Sequence, residues 1–305
     1  MYLNSSTRLP TQCFYSDCPS VSGDSSFVHL VRKGFFFRSS DSKYIARFQC
    51  KICNRSFSSA RYSSCFLQKR RRLNDPIREH LAQGMTQRQI ARVLKTSRKT
   101  VERKLRFLAA QARLTHQQFL MSLVRSNNKL DLVQFDEMET FERSKCLPVS
   151  IPLIVEPKTR KILAIGACSM PAKGLLAAIS VKKYGPRRDE RPECAQKIFK
   201  QVDPVLAPAA CIFTDQNPKY PAWINTHSST LISSTTKGRR GCIVGQGELK
   251  GGGFDPLFSL NHSCAMIRAH VSRLFRRTWN TTKRIDRLED HLYIYINYHN
   301  QVLTR

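Results

Sequence analysis

The chain is poor in acidic residues and has no long apolar run. Its 305 residues contain 51 Lys and Arg but only 22 Asp and Glu, which gives a formal net charge of +29 at pH 7. No stretch approaches the roughly 18 consecutive apolar residues that a membrane-spanning helix requires. Residues 1–10 lack the apolar segment of a signal peptide. Internal repeats and low-complexity tracts are also absent, so we expect a folded cytoplasmic protein with no membrane partner.

The excess of positive charge favours a polyanionic partner. Residues 1–125 hold 24 Lys and Arg against 6 Asp and Glu, so the N-terminal part is the more basic one. Neutralising phosphates releases counterions and steers encounter from a distance, which makes nucleic acid the expected partner. The chain is 41% hydrophobic and long enough for two or three modules, each with its own core.

Eleven cysteines in a chain without an export signal indicate metal binding or free thiols rather than disulfides. Cys50 and Cys53 have the two-residue gap of a zinc knuckle, and Cys13 and Cys18 could complete a tetrahedral site. The sequence therefore predicts a structural zinc module over residues 1–65. Unconnected free cysteines remain the alternative, because the gap between Cys13 and Cys18 is longer than usual. Two further candidate ligands are His29 and Cys65.

Residues 66–125 predict a basic linker followed by a helix-turn-helix. Thr86 is placed to cap a helix whose apolar stripe contains Ile90, Val93 and Leu94. The next helix is expected to turn Val101, Leu105 and Leu108 inward, and its segment 100–106 is the candidate for the DNA major groove. Paired helices with solvated charges are the alternative. The basic residues expected to face DNA are Arg70, Arg71, Arg98, Lys99, Arg103, Lys104 and Arg106.

From residue 130 onward the pattern changes to short apolar runs bounded by turn residues, which predicts strands. The expected strands are 130–135, 149–155, 161–167, 209–213 and 230–233, and the second and third form a hairpin. The expected helices are 194–202, 257–277 and 285–301. A basic, glycine-rich insertion spans 237–254. The fold class is thus multidomain α/β, with this third module covering residues 126–305.

Two acidic positions follow apolar runs, Asp136 after the first strand and Asp215 after the fourth. If these strands are neighbours, both carboxylates reach one edge of the sheet and can bind divalent cations. Turn or capping chemistry is the alternative, since Asp is common after strands. Glu137 and Glu139 are alternative ligands, although neighbouring residues of a strand face opposite sides.

Five motifs, taken in their order along the chain, resemble those of a known protein family. They are Arg47-Phe-Gln-Cys-Lys-Ile-Cys53, Met85-Thr-Gln-Arg-Gln-Ile-Ala-Arg92, Phe135-Asp-Glu-Met-Glu-Thr-Phe141, Phe213-Thr-Asp215, and Asn261 to Arg268 followed by Arg273 to Trp279. Over nearly its whole length the chain resembles bacterial insertion-sequence transposases of the DDE type, with an N-terminal zinc ribbon and helix-turn-helix. The resemblance implies a ribonuclease-H-like core, a mixed sheet flanked by helices, that binds two Mg²⁺.

In this resemblance Asp136 and Asp215 match the two strand-borne metal ligands. The third ligand is normally Glu, seven residues before a basic residue, but Asn261 stands seven residues before Arg268. Asn can coordinate Mg²⁺ through its carbonyl oxygen, yet it carries no charge and cannot act as a base. Other candidates for the third position are Asp255, His262 and Glu248.

The resemblance implies water attack at an element end, followed by attack of the freed 3′-hydroxyl on target DNA. It also implies double-stranded DNA partners, namely terminal inverted repeats and target DNA, a homo-oligomer on DNA, and a bacterial, nucleoid-associated location. Backbone contacts are expected from Lys237, Gly238, Arg239, Arg240, 251–253, Arg268, Arg273, Arg276 and Arg277. Two alternatives stay open. One is a catalytically inactive DNA-binding regulator, which the missing acid favours, and the other is a ribonuclease-H-like nuclease.

Overall fold

The computed structural model describes residues 9–22, 29–127, 129–237, 255–275 and 280–304. Contacts within the chain divide it into two compact units, Met1–Pro76 and Ile77–Arg305. It is a mixed α/β protein with several helices, a mixed sheet and four clustered cysteines near the N-terminus. None of the described helices combines the length and apolar character needed to cross a bilayer.

The first unit is built on a small antiparallel sheet in the order β1-β2-β3. The elements are helix α1 (Pro19–Ser22) and strands β1 (Leu30–Arg38), β2 (Lys43–Cys50) and β3 (Ser56–Ser58). Phe48 and Phe57 are buried in one cluster with three of the cysteines. The core of this unit therefore forms around sulfur and aromatic rings, as a domain with few aliphatic residues requires.

Three helices follow, namely α2 (Asn74–Ala82), α3 (Gln87–Val93) and α4 (Arg98–Arg125). Thr86 caps α3 as predicted, because its hydroxyl accepts from the Gln89 N–H at 3.3 Å and the Gln89 side chain accepts from the Thr86 N–H at 2.9 Å. Ser97 caps α4 by accepting from the Thr100 N–H at 3.1 Å. These caps fix the two turns of the expected helix-turn-helix.

The buried face of α4 is wider than the sequence predicts. Val101, Leu105 and Leu108 are buried, which confirms the predicted inward stripe. Lys104 is only 5% exposed, so the prediction that it faces DNA is wrong. Helix α4 packs against both α3 and the C-terminal helix described below, so a single inward stripe does not describe its buried surface. On α3 the prediction for Val93 is also wrong, since this side chain is 58% exposed.

A mixed sheet forms the centre of the second unit, with the order β6-β5-β4-β8-β9 and β7 paired to β5. Pairing of β4 with β5 and of β5 with β6 is antiparallel, whereas β8 runs parallel to both β4 and β9. The strands are β4 (Leu130–Phe141), β5 (Pro148–Val155), β6 (Ile162–Ile165), β7 (Cys168–Ser169), β8 (Leu206–Thr214) and β9 (Ile232–Thr235). The predicted hairpin is therefore β5 and β6.

Helices cover both faces of this sheet. Phe135 of β4 packs against Phe199 and Tyr220 on one face, with ring centroids 5.0 and 4.8 Å apart. Its neighbour Gln134 points to the other face and accepts from the Leu260 N–H at 3.0 Å. The helices are α5 (Leu176–Tyr184), α6 (Arg191–Val202), α7 (Tyr220–His227), α8 (Phe258–His270) and α9 (Ile285–Tyr298). Thus α6 and α7 lie on one face and α8 on the other.

Among the predicted boundaries that differ from the structure, two bear on the acidic segment and on α8. Strand β4 continues to Phe141 instead of ending at Phe135, so Asp136 lies inside the strand. Helix α8 ends at His270 instead of Arg277, because the chain turns into a short 3-10 helix at Ser272–Leu274. Pairing along the whole of β5 holds the acidic segment of β4 extended.

We expect acid to destabilise the second unit through His291 of α9. This ring is fully buried and lies 2.9 Å from the Leu81 carbonyl oxygen. Burial, followed by the charge of Arg273, lowers its pKa to about 4. The ordinary pKa of an unfolded histidine is about 6.5. Above that pH the ring is neutral in both the folded and the unfolded chain, so the lowered pKa does not reduce the stability of the fold. Between pH 6.5 and 4 the unfolded chain takes up a proton that the fold refuses, which removes up to about 3 kcal/mol of stability.

His291→Gln keeps an N–H donor for Leu81 but cannot titrate. Chemical unfolding across this pH range should show a flatter loss of stability for the variant than for the native chain. His80→Gln, at a partly exposed position of α2, is the control and should leave the slope unchanged. Equal slopes for the native chain and His291→Gln would contradict the assignment.

Candidate functional site

The four predicted zinc ligands meet in the first unit. The Sγ atoms of Cys13, Cys18, Cys50 and Cys53 all lie within 4.8 Å of one another. Cys13 Sγ is 3.8 Å from Cys53 Sγ, and Cys18 Sγ is 3.8 Å from Cys50 Sγ. This cluster could hold a metal ion, and four sulfur donors from two short loops are compatible with structural zinc.

The electrostatics of the cluster favour a thiolate at one position. Burial opposes ionisation of Cys53, but hydrogen bonds from the backbone and side chain of Arg55 outweigh it and lower the pKa of Cys53 to about 6. Burial raises the pKa of Cys13 to about 12. The predicted alternative Cys65 lies outside the cluster, where its sulfur accepts from the Asn74 side chain at 3.3 Å. His29 also lies outside it.

Asp136 lies in β4, and Asp215 directly follows the neighbouring parallel strand β8. In the β4–β8 pairing Gln134 stands opposite Phe213, and Asp136 and Asp215 each follow two residues later. Adjacent strands are about 4.8 Å apart, so the two carboxylates share one place on the sheet. Asp215 follows the last residue of β8, and its carboxylate accepts from the Asn217 N–H at 3.0 Å.

The Asp136 carboxylate is held in a buried, acid-rich environment. Its Oδ1 accepts from the Glu137 N–H at 2.7 Å and from the Tyr220 hydroxyl at 3.0 Å. Burial is the largest influence on its pKa, and together with the negative charge of Asp215 it raises this pKa to about 6. A carboxylate disfavoured by burial and by a like charge is stabilised by a bound cation.

Neither alternative acid on β4 joins this pair. Glu137 points to the opposite face of the strand and accepts from the Ser150 hydroxyl at 2.5 Å. Glu139 forms a surface ion pair with Lys173 at 2.5 Å. Both carboxylates therefore have partners of their own.

The third predicted ligand, Asn261, lies near the start of α8. Its amide nitrogen donates to Asp255 Oδ2 at 3.0 Å, and Asp255 Oδ1 accepts from the Leu257 N–H at 3.0 Å. Asp255 thus holds the turn that leads into α8 and fixes the Asn261 amide, which leaves the amide oxygen without a hydrogen bond among the described residues. No hydrogen bond in that part of the chain joins Asn261 to Asp136 or Asp215.

The other candidates for the third position do not complete the site. The His262 ring lies 5.9 Å from the Phe258 ring of the same helix. Glu248 lies outside the described residues. Within the described ranges, no third Asp, Glu, His or Cys lies close enough to Asp136 and Asp215 to complete a three-ligand cluster.

A cavity of about 380 Å³ begins two residues after Asp136 on the same face of β4. Three cations line it, namely Lys145, Arg268 of α8 and Arg273. None of them forms a hydrogen bond or ion pair with a described residue. Burial lowers the pKa of Arg273. The apolar walls are Met138, Phe141, Ile151, Leu274 and Phe275. Lys145 is exposed and the two arginines are half-buried. Clustered cations without direct partners among the described residues favour an anionic ligand such as phosphate.

Most of the basic residues predicted to face DNA in the helix-turn-helix are exposed to solvent. On α4 the exposed side chains are Arg98, Lys99, Arg103 and Arg106. In the linker Arg70 is exposed, whereas Arg71 is half-buried and donates to the Gln68 carbonyl oxygen at 3.2 Å. Other predicted contacts lie outside the described residues, namely Gly238, Arg239, Arg240, 251–253, Arg276 and Arg277.

Three residues of the site were missed by sequence reasoning. Tyr220, the hydroxyl donor to Asp136, carries no sequence signal because its position depends on how α7 packs against β4. Cys264 of α8 is buried. Its burial is the main cause, and the charge of Asp136 the second, that raises the pKa of this thiol to about 12. Its place between Asn261 and Arg268, at helical spacing, could have been found from the sequence. Lys145 lies in the turn after β4 and has no such signal.

We expect the purified chain to bind about one zinc ion, because four thiolates complete one tetrahedral site. Cys50→Ser should lose the metal and much of the stability of the first unit, as measured by metal analysis and chelator-induced unfolding. Cys65→Ser is the matched control and should keep the full zinc content. Loss of zinc from Cys65→Ser alone would contradict the four-cysteine assignment.

Asp136→Asn should stabilise the metal-free protein by about 1–3 kcal/mol at neutral pH, because it removes a buried charge whose pKa is raised by roughly two units. The amide oxygen can still accept from Glu137 and Tyr220. Thermal unfolding measures the change, and Asp131→Asn, at an exposed position of the same strand, should have almost no effect. A lower melting temperature for Asp136→Asn would show that the carboxylate stabilises the fold.

Comparison with known proteins adds no family. No protein-family model matches the chain, and no curated protein matches it. The cysteine cluster, the Asp136–Asp215 pair and the basic helix are therefore the features that bear on the function.

Proposed function

We propose that the chain is a transposase of the DDE type, which binds the ends of a mobile element and catalyses metal-dependent DNA cleavage and strand transfer. The observation that carries the proposal is that the parallel pairing of β4 with β8 brings Asp215 near enough to Asp136 to raise its pKa, in a chain with net charge +29. Paired, partly desolvated carboxylates in a protein built to meet a polyanion fit a cation-dependent phosphodiester chemistry.

The sheet supports the same proposal. In the second unit the antiparallel strands β4, β5 and β6 come first, and the later strands β8 and β9 run parallel to β4, so that β4 lies in the centre of the order. A mixed sheet flanked by helices, with two acids carried by its strands, is what the resemblance to a ribonuclease-H-like core implies. Fold likeness alone does not assign a reaction, so the acids carry more weight than the topology.

The other sites suit DNA as the substrate. The exposed cations of α4 fit a phosphate backbone, and the cysteine cluster would stabilise a second DNA-binding module through zinc. Next to the acids, Arg268 and Arg273 line a cavity beside Met138, where they can hold a phosphate of the bound strand. Affinity would then come from both modules, while cleavage is confined to the sheet.

Within this proposal each residue near the acids has a distinct task. Asp136 and Asp215 would hold Mg²⁺, whose chemistry is Lewis-acid activation of water and of the scissile phosphate. Tyr220 orients Asp136 through its hydroxyl. Asn261 offers a carbonyl oxygen, and the negative charge of the usual third acid is present one hydrogen bond away, on Asp255.

A DNA-binding regulator without catalysis is the second candidate. The specific observation in its favour is that, among the described residues, no third carboxylate joins Asp136 and Asp215. A related nuclease would share the metal site and differ only by not joining ends to a target.

The test is Mg²⁺-dependent cleavage and joining of a labelled DNA that carries the sequences flanking the gene. Asp136→Ala and Asp215→Ala should each abolish cleavage, with a loss of at least about 100-fold, while DNA binding persists. Asp131→Ala is the matched control and should keep full activity. Binding without cleavage by the native chain would favour the regulator, and cleavage without joining would favour the nuclease.

The third position has a sharper test. Asn261→Glu alone would place a carboxylate within about 3 Å of Asp255, and this repulsion should cancel any gain. Asn261→Glu combined with Asp255→Asn keeps the hydrogen bond in reverse and restores the usual acid. We expect the double variant to cleave faster than either single variant. Equal rates would show that neither residue belongs to the site.

A further inference from the structure

The hairpin of β1 and β2 exposes aromatic rings that the first unit does not use for its core. Beyond the irregularity at Gly34, Phe35 is 51% exposed, Phe37 is 54% exposed and Tyr44 is 73% exposed. Phe37 stands opposite Tyr44 in the register, with ring centroids 5.2 Å apart, and Phe35 lies two residues away on the same face. A contiguous exposed patch of this kind marks an interaction surface.

Uncompensated positive charge lies on the same hairpin as these rings. The exposed cations of the hairpin are Arg32, Lys33, Lys43 and Arg47. None of these four has an ion pair with a described residue. The only acid between residues 30 and 50 is Asp41, and Arg38 neutralises it through two hydrogen bonds of 2.6 and 2.5 Å. The hairpin therefore presents rings and net positive charge together.

We propose that this hairpin binds unpaired bases of single-stranded DNA. Every base has two flat faces on which Phe37 and Tyr44 can stack, and these faces are hidden in a duplex but accessible in a single strand. Side chains at alternate positions of a strand are about 7 Å apart, which matches the spacing of extended nucleotides. The cations of the same hairpin supply positive charge for the phosphates, and this combination of aromatic and basic residues is the one that single-strand binding uses.

A second copy of the chain suits this surface less well. Two hairpins packed face to face would bring their cations together with no acid to balance them, since Asp41 is already paired. DNA supplies both the flat rings and the negative charge. The inference deepens the proposed function, on which it rests for the source of single strands, because cleavage at an element end exposes unpaired bases.

The experiment uses the full-length, zinc-loaded chain and measures its affinity for a dT oligomer of about 15 nucleotides and for a blunt duplex of equal length. Phe37→Ala with Tyr44→Ala should weaken binding to the oligomer at least tenfold and change duplex binding by less than about twofold. Tyr44→Phe keeps the ring and should bind the oligomer normally. Leu67→Ala is the control, because this side chain is 83% exposed but lies outside the hairpin.

Several results would overturn the inference. They are unchanged affinity of the double variant for the oligomer, an equal loss on both DNAs, and a shift from dimer to monomer in sedimentation with unchanged DNA binding. The last result would assign the surface to a second copy. Zinc content and circular dichroism of the variants identify any unfolding. If the alanine variant is unfolded, Phe37→Leu with Tyr44→Leu replaces it, because leucine keeps apolar bulk without a ring. This variant must show the same loss of affinity for the oligomer with unchanged duplex binding. Asp136→Ala should bind the oligomer normally, so failure of catalysis leaves this result intact.

Discussion

The parallel pairing of β4 with β8 is the constraint on which the second unit depends. It brings together two segments some eighty residues apart and sets two carboxylates side by side in a protein with few acids to spare. Burial and mutual repulsion make that arrangement unfavourable in the absence of a cation. The surrounding core, in which Phe135 packs against Phe199 and Tyr220, holds it in place. Strain of this kind is characteristic of sites that bind ligands.

Local signals account for what the sequence predicted well. The cap at Thr86, the hairpin of β5 and β6, and the four-cysteine cluster all depend on short spacings that the chain displays directly. The class of the fold follows from the change from helical to strand periodicity near residue 130. The two acids were found because each interrupts an apolar run and neighbouring strands share an edge.

Long-range packing accounts for what could not be predicted. Lys104 is buried although it stands among the basic residues of α4, and no pattern within α4 reveals that α9 packs against the same helix. Tyr220 reaches Asp136 only through the seating of α7 on the sheet. The link between Asn261 and Asp255 depends on how the chain enters α8, which the expected helix start at 257 left open. The positions of side chains that act through tertiary contacts thus cannot be predicted from the periodicity of the sequence.

Helix α4 is continuous from the helix-turn-helix to the core of the sheet, where Leu120 is buried beside Phe135. Its 28 residues correspond to a rigid rod of about 42 Å. B-DNA rises 3.4 Å per base pair, so this rod is as long as about twelve base pairs, slightly more than one turn of the duplex. A continuous helix keeps a fixed distance between its two ends. If both of its ends serve one DNA, the interval between the sequence that is bound and the bond that is cut is set by the length of α4 rather than by a flexible linker.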